Sequence, residues 1–401
     1  FKDQFVSMIA GGEFALVRSI ENFEDSKEYA LQQLQIQNFD PQKDLYIGNS
    51  ASGGAAFINQ QLGNIAAQVQ KAPLDQCHLK PWLVLCNNLE QLPDIQNPHA
   101  NFLDLHKVGP NGLSGSSRMQ SATATQIAIY TAIERAVSTN ASSSEAQEQV
   151  ALMHKYLENP ALLDDLAALI LFETEVYEQG NRMVYELAPE LAVTVFTDAT
   201  ERAPTFSVKK PENKWYPEEL TDENASLITA SIIGAKTPEE ALQMMLGRKP
   251  ICLEMEREPK TQRKLLEGFD FSEAAAATRA CYLKNCKQKT LRFILEKNHL
   301  TIDLDRGTKK IDINLEGLTP FYQQTFIKML LNTHSTLVMG RLGRFYSNTM
   351  LGVNLGNAKL FARVVSYVKK ELNQRFPGLD RLMRVPGYVS PIEAAIALVV
   401  G

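Results

Sequence analysis

Gly109-Pro-Asn-Gly-Leu-Ser-Gly-Ser-Ser-Arg-Met119 runs straight into a helix-forming stretch, and its reading organises the rest of the chain. Eleven residues hold three glycines and three serines, with one arginine where the helical pattern begins. Glycines let backbone N–H groups turn toward a common point, and serine hydroxyls add donors. The positive end of the following helix faces the same spot. A loop of this kind can hold a phosphate without a metal or cofactor. The alternative is an ordinary glycine-serine loop that caps a helix.

On either side of this loop, strand-like apolar runs alternate with helical patterns. Phe5-Val-Ser-Met-Ile9 reads as a strand ending in Gly11-Gly12, followed by helical stretches around Glu13–Glu21 and Ser26–Asn38. Leu45-Tyr-Ile47 reads as a short strand, and Gly48-Asn-Ser-Ala-Ser-Gly-Gly54 opens another helix. Trp82–Cys86 reads as a third strand, and Phe102–Val108 leads into the signature loop. A mainly helical stretch over 118–178 then precedes a second set: strands at Arg182–Glu186, Leu227–Ile233 and Pro250–Met255, with helices at Thr237–Leu246 and Pro259–Glu267. A long helical pattern spans Pro320–Tyr346, and another carries Leu360, Val364, Tyr367 and Leu372. Strand, loop and helix in repetition predict an α/β fold with parallel sheets, whose ligands sit at the carboxyl ends of the strands. Ser390-Pro-Ile-Glu393 starts a small helical cap over Phe376–Gly401.

Composition narrows the function classes. The chain has 401 residues, 44% of them hydrophobic, enough for two or three domains. A net charge of −5 argues against a nucleic-acid or membrane-surface protein. Five cysteines, without zinc spacing, fit reduced structural thiols in a cytoplasm. Cys281 and Cys286 fall five apart on an expected helix, and the six histidines lack metal-ligand spacing. Gly340-Arg-Leu-Gly343 interrupts a helical pattern, which close helix packing explains better than a nucleotide loop. The stretches Lys209–Glu219 and Pro217–Glu223 read as exposed, solvated loops.

The signature loop resembles that of sugar isomerase (SIS) domains in glucokinase regulatory proteins and N-acetylmuramic acid 6-phosphate etherases. Other stretches agree in order: Ile9-Ala-Gly-Gly-Glu13 through Phe23-Glu-Asp25, Gly48–Gly54, Thr197-Asp-Ala-Thr-Glu-Arg-Ala-Pro-Thr-Phe206, Lys328-Met-Leu-Leu-Asn332 and Asn357-Ala-Lys-Leu360. The resemblance implies an α/β protein of two SIS-type (flavodoxin-like, parallel-sheet, three-layer) domains in tandem. The expected boundaries are 1–138 and 179–373, with connecting helices over 139–178 and the cap over 374–401. It also implies a Gly-Thr-Ser-Gly-Arg phosphate loop upstream of Ile9, so an earlier segment on the order of a hundred residues is expected.

By the same resemblance the ligand is a phosphorylated hexose, a fructose phosphate or an amino-sugar phosphate, and a sugar kinase is the implied protein partner. The two expected domains differ in chemistry. The first has Ser50, Ala51, Ser52 and Gly53 at a helix start, and Ser114, Ser116, Ser117 and Arg118 in the signature loop. The corresponding turn of the second, Leu187-Ala-Pro-Glu-Leu-Ala192, has no glycine, a proline without an N–H, and Glu190. The expectation is one composite site in a monomeric pseudo-dimer, with Glu201 and Lys328 lent by the second domain to a cradle in the first. Each residue has a plainer alternative. Ser50 and Ser52 can cap the following helix, Arg118 can bridge to a carboxylate, Lys328 can snorkel to water, and Glu24 and Glu201 can be surface acids. Glu24 and Glu201 would be catalytic only in an etherase or isomerase, as a base and an acid. Ala51-Ser-Gly-Gly-Ala-Ala56 lacks the arginine of the etherase pattern, which favours binding over catalysis.

Overall fold

The computed structural model describes residues 5–18, 20, 23–72, 79–137, 143–200, 213–215, 220–223, 225–351, 363–368 and 375. The expected cap over 376–401, most of the 209–219 loop, part of the 217–223 run, Cys77 and Glu201 lie outside the described residues.

The leading half builds a small parallel sheet. Helix α1 (Lys27–Ile36) starts where the Ser26 side chain accepts from the Tyr29 N–H at 3.2 Å. Strand β1 (Ile47–Asn49), helix α2 (Ala56–Lys71), strand β2 (Trp82–Leu85) and strand β3 (Asn101–Asp104) follow. The three strands are parallel in the order β1-β2-β3, with Ile47 opposite Trp82 and Trp82 opposite Asn101. Leu83, Val84 and Leu85 are all buried, as a strand covered on both faces requires. Leu83 and Leu85 pack with Leu34, Tyr46, Leu62 and Ile65.

Three helices lead to the second sheet: α3 (Gln120–Val137), α4 (Ser143–Leu157) and α5 (Pro160–Glu178). The Asn159 side chain caps α5, with Pro160 at its first position. Strand β4 (Arg182–Leu187), helix α6 (Pro189–Ala199), strand β5 (Ile228–Ile232) and helices α7 (Pro238–Leu246), α8 (Arg263–Leu266) and α9 (Glu273–Tyr282) come next. Strands β6 (Gln288–Glu296), β7 (His299–Leu304) and β8 (Lys309–Asn314) complete a five-stranded sheet in the order β5-β4-β6-β7-β8. Helix α10 (Pro320–Arg341) packs on α5 and α6. The short hairpin β9 (Phe345–Tyr346) and β10 (Thr349–Met350) closes this part.

The second sheet is mixed rather than parallel throughout. β4 runs parallel to β5 and β6, whereas β6-β7 and β7-β8 are antiparallel. The connections dictate this. Lys297 and Asn298 alone join β6 to β7, and a short turn with positive φ at Asp305, Arg306 and Gly307 joins β7 to β8. Parallel neighbours need a long crossover, and these links cannot provide one.

Two expected strands are absent. Along Phe5–Ile9, the Ile9 carbonyl is taken by the Gly12 N–H and the Gln33 amide, not by a neighbouring strand. Along 250–255, the Ile251 N–H donates to Glu13 and the Met255 N–H to Thr261, and Glu254 turns the chain at φ +50°. The long helix also ends earlier than its pattern suggests. Gly343 adopts φ +68°, its N–H and that of Arg344 fold back onto the carbonyls of Gly340 and Met339, and the helix stops. A Cβ on Gly340 would sit 2.6 Å from the Phe345 ring, so this glycine does mark close packing, against the hairpin rather than a second helix. Cys281 lies on α9, but Cys286 falls beyond it.

One core unites the two halves. Phe14, Val17, Ile20, Phe23 and Phe57 of the leading half join the cluster that contains β4, β6, α6 and α10. Phe14 and Phe269 meet in a tilted pair at 5.1 Å between centroids. A buried polar group lies within it: Glu173 accepts from the hydroxyls of Tyr177 and Tyr185 at 2.7 and 2.5 Å, with His334 at 3.2 Å.

Candidate functional site

Both glycine-serine loops open at the carboxyl ends of the first sheet's strands. After β1, the Ser50 N–H bonds to the Val84 carbonyl, and the Ser50 hydroxyl accepts from Ala55 N–H at 3.4 Å, just before α2. The Ser52 hydroxyl accepts from Gly54 N–H, and the Ala51 carbonyl accepts from Cys86 N–H. Gly53 sits at φ +75°, and a Cβ there would come within 2.9 Å of Leu92. Only glycine fits that position. Ser50 and Ser52 therefore brace the turn before α2 without capping the helix, which has no side-chain cap, and Ser52 stays exposed. Glu24 is half-buried beside them, its carbonyl accepting from Phe57 N–H at 3.1 Å on the first turn of α2.

The signature loop closes on itself differently. The Asn111 side chain accepts from the N–H and hydroxyl of Ser121, and the Gln120 side chain accepts from the Gly112 N–H. Helix capping thus falls to Asn111, not to Ser114, Ser116 or Ser117. The Ser116 N–H turns back to the Leu113 carbonyl, and Gly115 adopts φ +77°. Among the described residues, the hydroxyls of Ser114, Ser116 and Ser117 make no hydrogen bond.

Arg118 turns out of the loop and crosses to the trailing half. Its Nη1 donates to the carboxylate and the carbonyl of Asp198 on α6, both at 3.1 Å, and its Nη2 reaches Ser335 of α10 at 3.4 Å. The Asp198 side chain is only 1% exposed and also accepts from Asn332 Nδ2 at 2.8 Å and Ser335 Oγ at 2.9 Å. A buried carboxylate is tolerable when a cation and hydrogen-bond donors surround it in this way.

Lys328 of α10 reaches back in the opposite direction. Its Nζ donates to the Arg118 carbonyl at 2.8 Å, the Thr123 hydroxyl at 2.7 Å and Asn332 Oδ1 at 3.4 Å. The ammonium is held one residue from Ser117. Burial pushes its pKa down to about 8, the Arg118 guanidinium pushes the same way, and the Asp198 carboxylate opposes both. This is an inward lysine, not one that snorkels to water.

The structure thus brings Lys328 and Arg118 together, next to Ser117. It places Ser50, Ala51, Ser52 and Gly53 in the separate loop after β1, with Glu24 beside that loop's helix, and Glu201 lies outside the described residues. Sequence reasoning missed Thr123, Asp198, Asn332 and Ser335. The signal was present, because Lys328, Asn332 and Ser335 follow at i, i+4 and i+7 on one helix face. In the trailing half, the turn after β4 has Pro189 at the first position of α6 with Glu190 beside it, which repels rather than holds an anion. Among the described residues, no group of three or more His, Cys, Asp or Glu side chains is placed to hold a metal ion, and no helix is long and apolar enough to cross a membrane.

Residues 1–66 match the family described as glucokinase regulatory protein N-terminal SIS domain. An N-acetylmuramic acid 6-phosphate etherase of Rippkaea orientalis is 34% identical over 127 residues, 32% of this chain and 37% of that protein. The Bacillus subtilis etherase is 25% identical over 225 residues, 54% of this chain and 68% of its own length. The human glucokinase regulatory protein is 22% identical over 441 aligned positions, covering 98% of this chain and 67% of that protein. The chain spans little more than a third of the length of the first of these relatives. It resembles both SIS-domain groups.

Proposed function

We propose that this protein binds a phosphorylated hexose at a composite site and acts as a regulator, as the name of the human relative suggests for that protein. The observation that carries the reading is the crossing of side chains between halves: Arg118 to Asp198 on α6, and Lys328 of α10 to Arg118 and Thr123. A cation from the trailing half is thereby fixed beside a serine loop of the leading half, and a bound anion would bear on the contact between them. Ser114, Ser116 and Ser117 supply hydroxyls to the phosphate, Ser50 to Gly53 form the second loop, and Glu24 and Glu201 address sugar hydroxyls. The arrangement is a monomeric tandem of two SIS-type domains, 1–138 and 179–373, joined by helices over 139–178 and followed by a cap over 374–401. Occupancy would shift the posture of the two halves and so the affinity for a partner such as a sugar kinase.

The test is a thermal-shift titration of the full chain with fructose 6-phosphate, fructose 1-phosphate and N-acetylmuramic acid 6-phosphate. A ligand of the folded state raises the melting temperature with concentration. No shift with any of the three contradicts the reading.

The 34% identity to an etherase favours a second reading. There, one of Glu24 and Glu201 would remove a proton next to the sugar's carbonyl carbon while the other protonates the departing lactate oxygen. Incubation with N-acetylmuramic acid 6-phosphate decides it. Lactate release that vanishes in Glu24→Gln and Glu201→Gln would establish the enzyme and displace the regulator.

A further inference from the structure

A distant part of the chain grips the signature loop. Arg363, in the helical segment 363–368, donates from Nη2 to the Gly115 carbonyl at 2.8 Å. One turn on, the Tyr367 hydroxyl donates to the Ser114 carbonyl at 2.7 Å, and the Ser114 N–H donates to the Asn348 carbonyl at 2.8 Å. The guanidinium lies so close to the loop that a Cβ on Gly115 would meet its Cζ at 2.6 Å and its Nη2 at 2.8 Å. The loop's own arginine is turned elsewhere, since Arg118 commits Nη1 to Asp198 and Nη2 to Ser335. An anion held by the three serine hydroxyls would therefore lie beside Arg363. A guanidinium has five N–H donors in a planar fork, so a bond to Gly115 leaves others to offer.

We propose that Arg363 is the arginine of this anion subsite: it pairs with the non-bridging oxygens of a phosphomonoester held by Ser114, Ser116 and Ser117, while Arg118 serves to join the halves. The proposal rests on the sugar-phosphate reading above and assigns the phosphate-specific part of it. Nη2 stays on Gly115, which leaves the other N–H groups of the fork for the anion. Tyr367 only holds the loop and meets no phosphate.

The experiment is calorimetric titration of the full chain and its Arg363→Gln, Arg363→Lys and Tyr367→Phe variants. The probes are fructose 6-phosphate, fructose and inorganic phosphate. Arg363→Gln is expected to weaken fructose 6-phosphate and inorganic phosphate by roughly ten- to a hundredfold, the scale of a charge-assisted pair, and to leave fructose unchanged. Arg363→Lys keeps the charge but loses the fork, and should fall between. If Arg363→Gln does not fold, Arg363→Lys against Tyr367→Phe makes the same comparison. Wild-type affinity for both phosphates in the arginine variants overturns the proposal, as does an equal loss for fructose, which would mean loop shaping alone. Arg363-dependent binding of inorganic phosphate without binding of fructose 6-phosphate would sustain the subsite and reject the sugar reading. A wild-type chain that binds neither phosphate rejects both.

Discussion

At the scale of the residue, Asp198 concentrates the risk. It receives Arg118, Asn332 and Ser335 at once from a position 1% exposed. Removing the carboxylate strands a partly buried guanidinium and an amide, so Asp198→Ala should lower stability by about 3 kcal/mol, read as a shifted urea midpoint. Lys328 makes a prediction about pH. With its pKa at about 8, it is charged below that value and neutral above it. A phosphomonoester has its second pKa near 6, so it is half-way through that ionisation there. Affinity for a phosphorylated hexose should therefore be greatest between about pH 6.5 and 8 and fall on the alkaline side, and Lys328→Met should flatten that alkaline limb. Stability runs the other way. The folded pKa lies below the ordinary value of 10.5, so between about pH 8 and 10.5 the unfolded chain binds more protons. Melting temperatures of the wild type, taken relative to Lys328→Met, should rise with pH across that window. Lys328 and Arg118 stood out in the sequence because each is a lone cation in a motif, although Arg118, expected at the phosphate, bridges to Asp198 as its plainer alternative had it. Asp198 was not singled out, because a carboxylate's role depends on what surrounds it once α6 and α10 meet.

At the scale of the element, a proline or a capping side chain marks several helix starts, and those at Thr237-Pro238 and Pro320 were read from the sequence. The start at Asn159-Pro160 carries the same marks inside a stretch read only as mainly helical. Strands were less so. Phe5–Ile9 has the apolar content of a strand, but its carbonyl at Ile9 is spent on a turn and on Gln33. Strand β8, which the sequence analysis did not single out, alternates buried and exposed residues from Lys310 to Asn314, and the Asp305-Arg-Gly307 turn before it marks a hairpin. Glycines separate two costs. Gly343→Ala meets only the left-handed backbone, since a Cβ there finds open space, and should cost about 1–2 kcal/mol. Gly53→Ala pays the same backbone cost and also drives a methyl to within 2.9 Å of Leu92 and 3.0 Å of Leu85. Thermal melts should rank Gly53→Ala below Gly343→Ala.

At the scale of the whole molecule, the leading half has a small core of its own under the first sheet but also shares a larger one with the trailing half. Phe14, Phe23 and Phe57 bury against the trailing half, so thermal unfolding of the two halves should coincide in one transition seen alike by calorimetry and far-ultraviolet dichroism. The glycine-serine loops and the lone lysine of α10 stood out in the sequence. What it left out was the route between them, which depends on side chains that meet only after two sheets and α10 have packed. The most direct measurement is a calorimetric titration of the full chain with fructose 6-phosphate, repeated with Lys328→Met under conditions where both proteins are folded. Saturable binding by the wild type, weakened about tenfold or more in the variant, is the predicted result. Equal affinity in the two proteins would contradict the composite site.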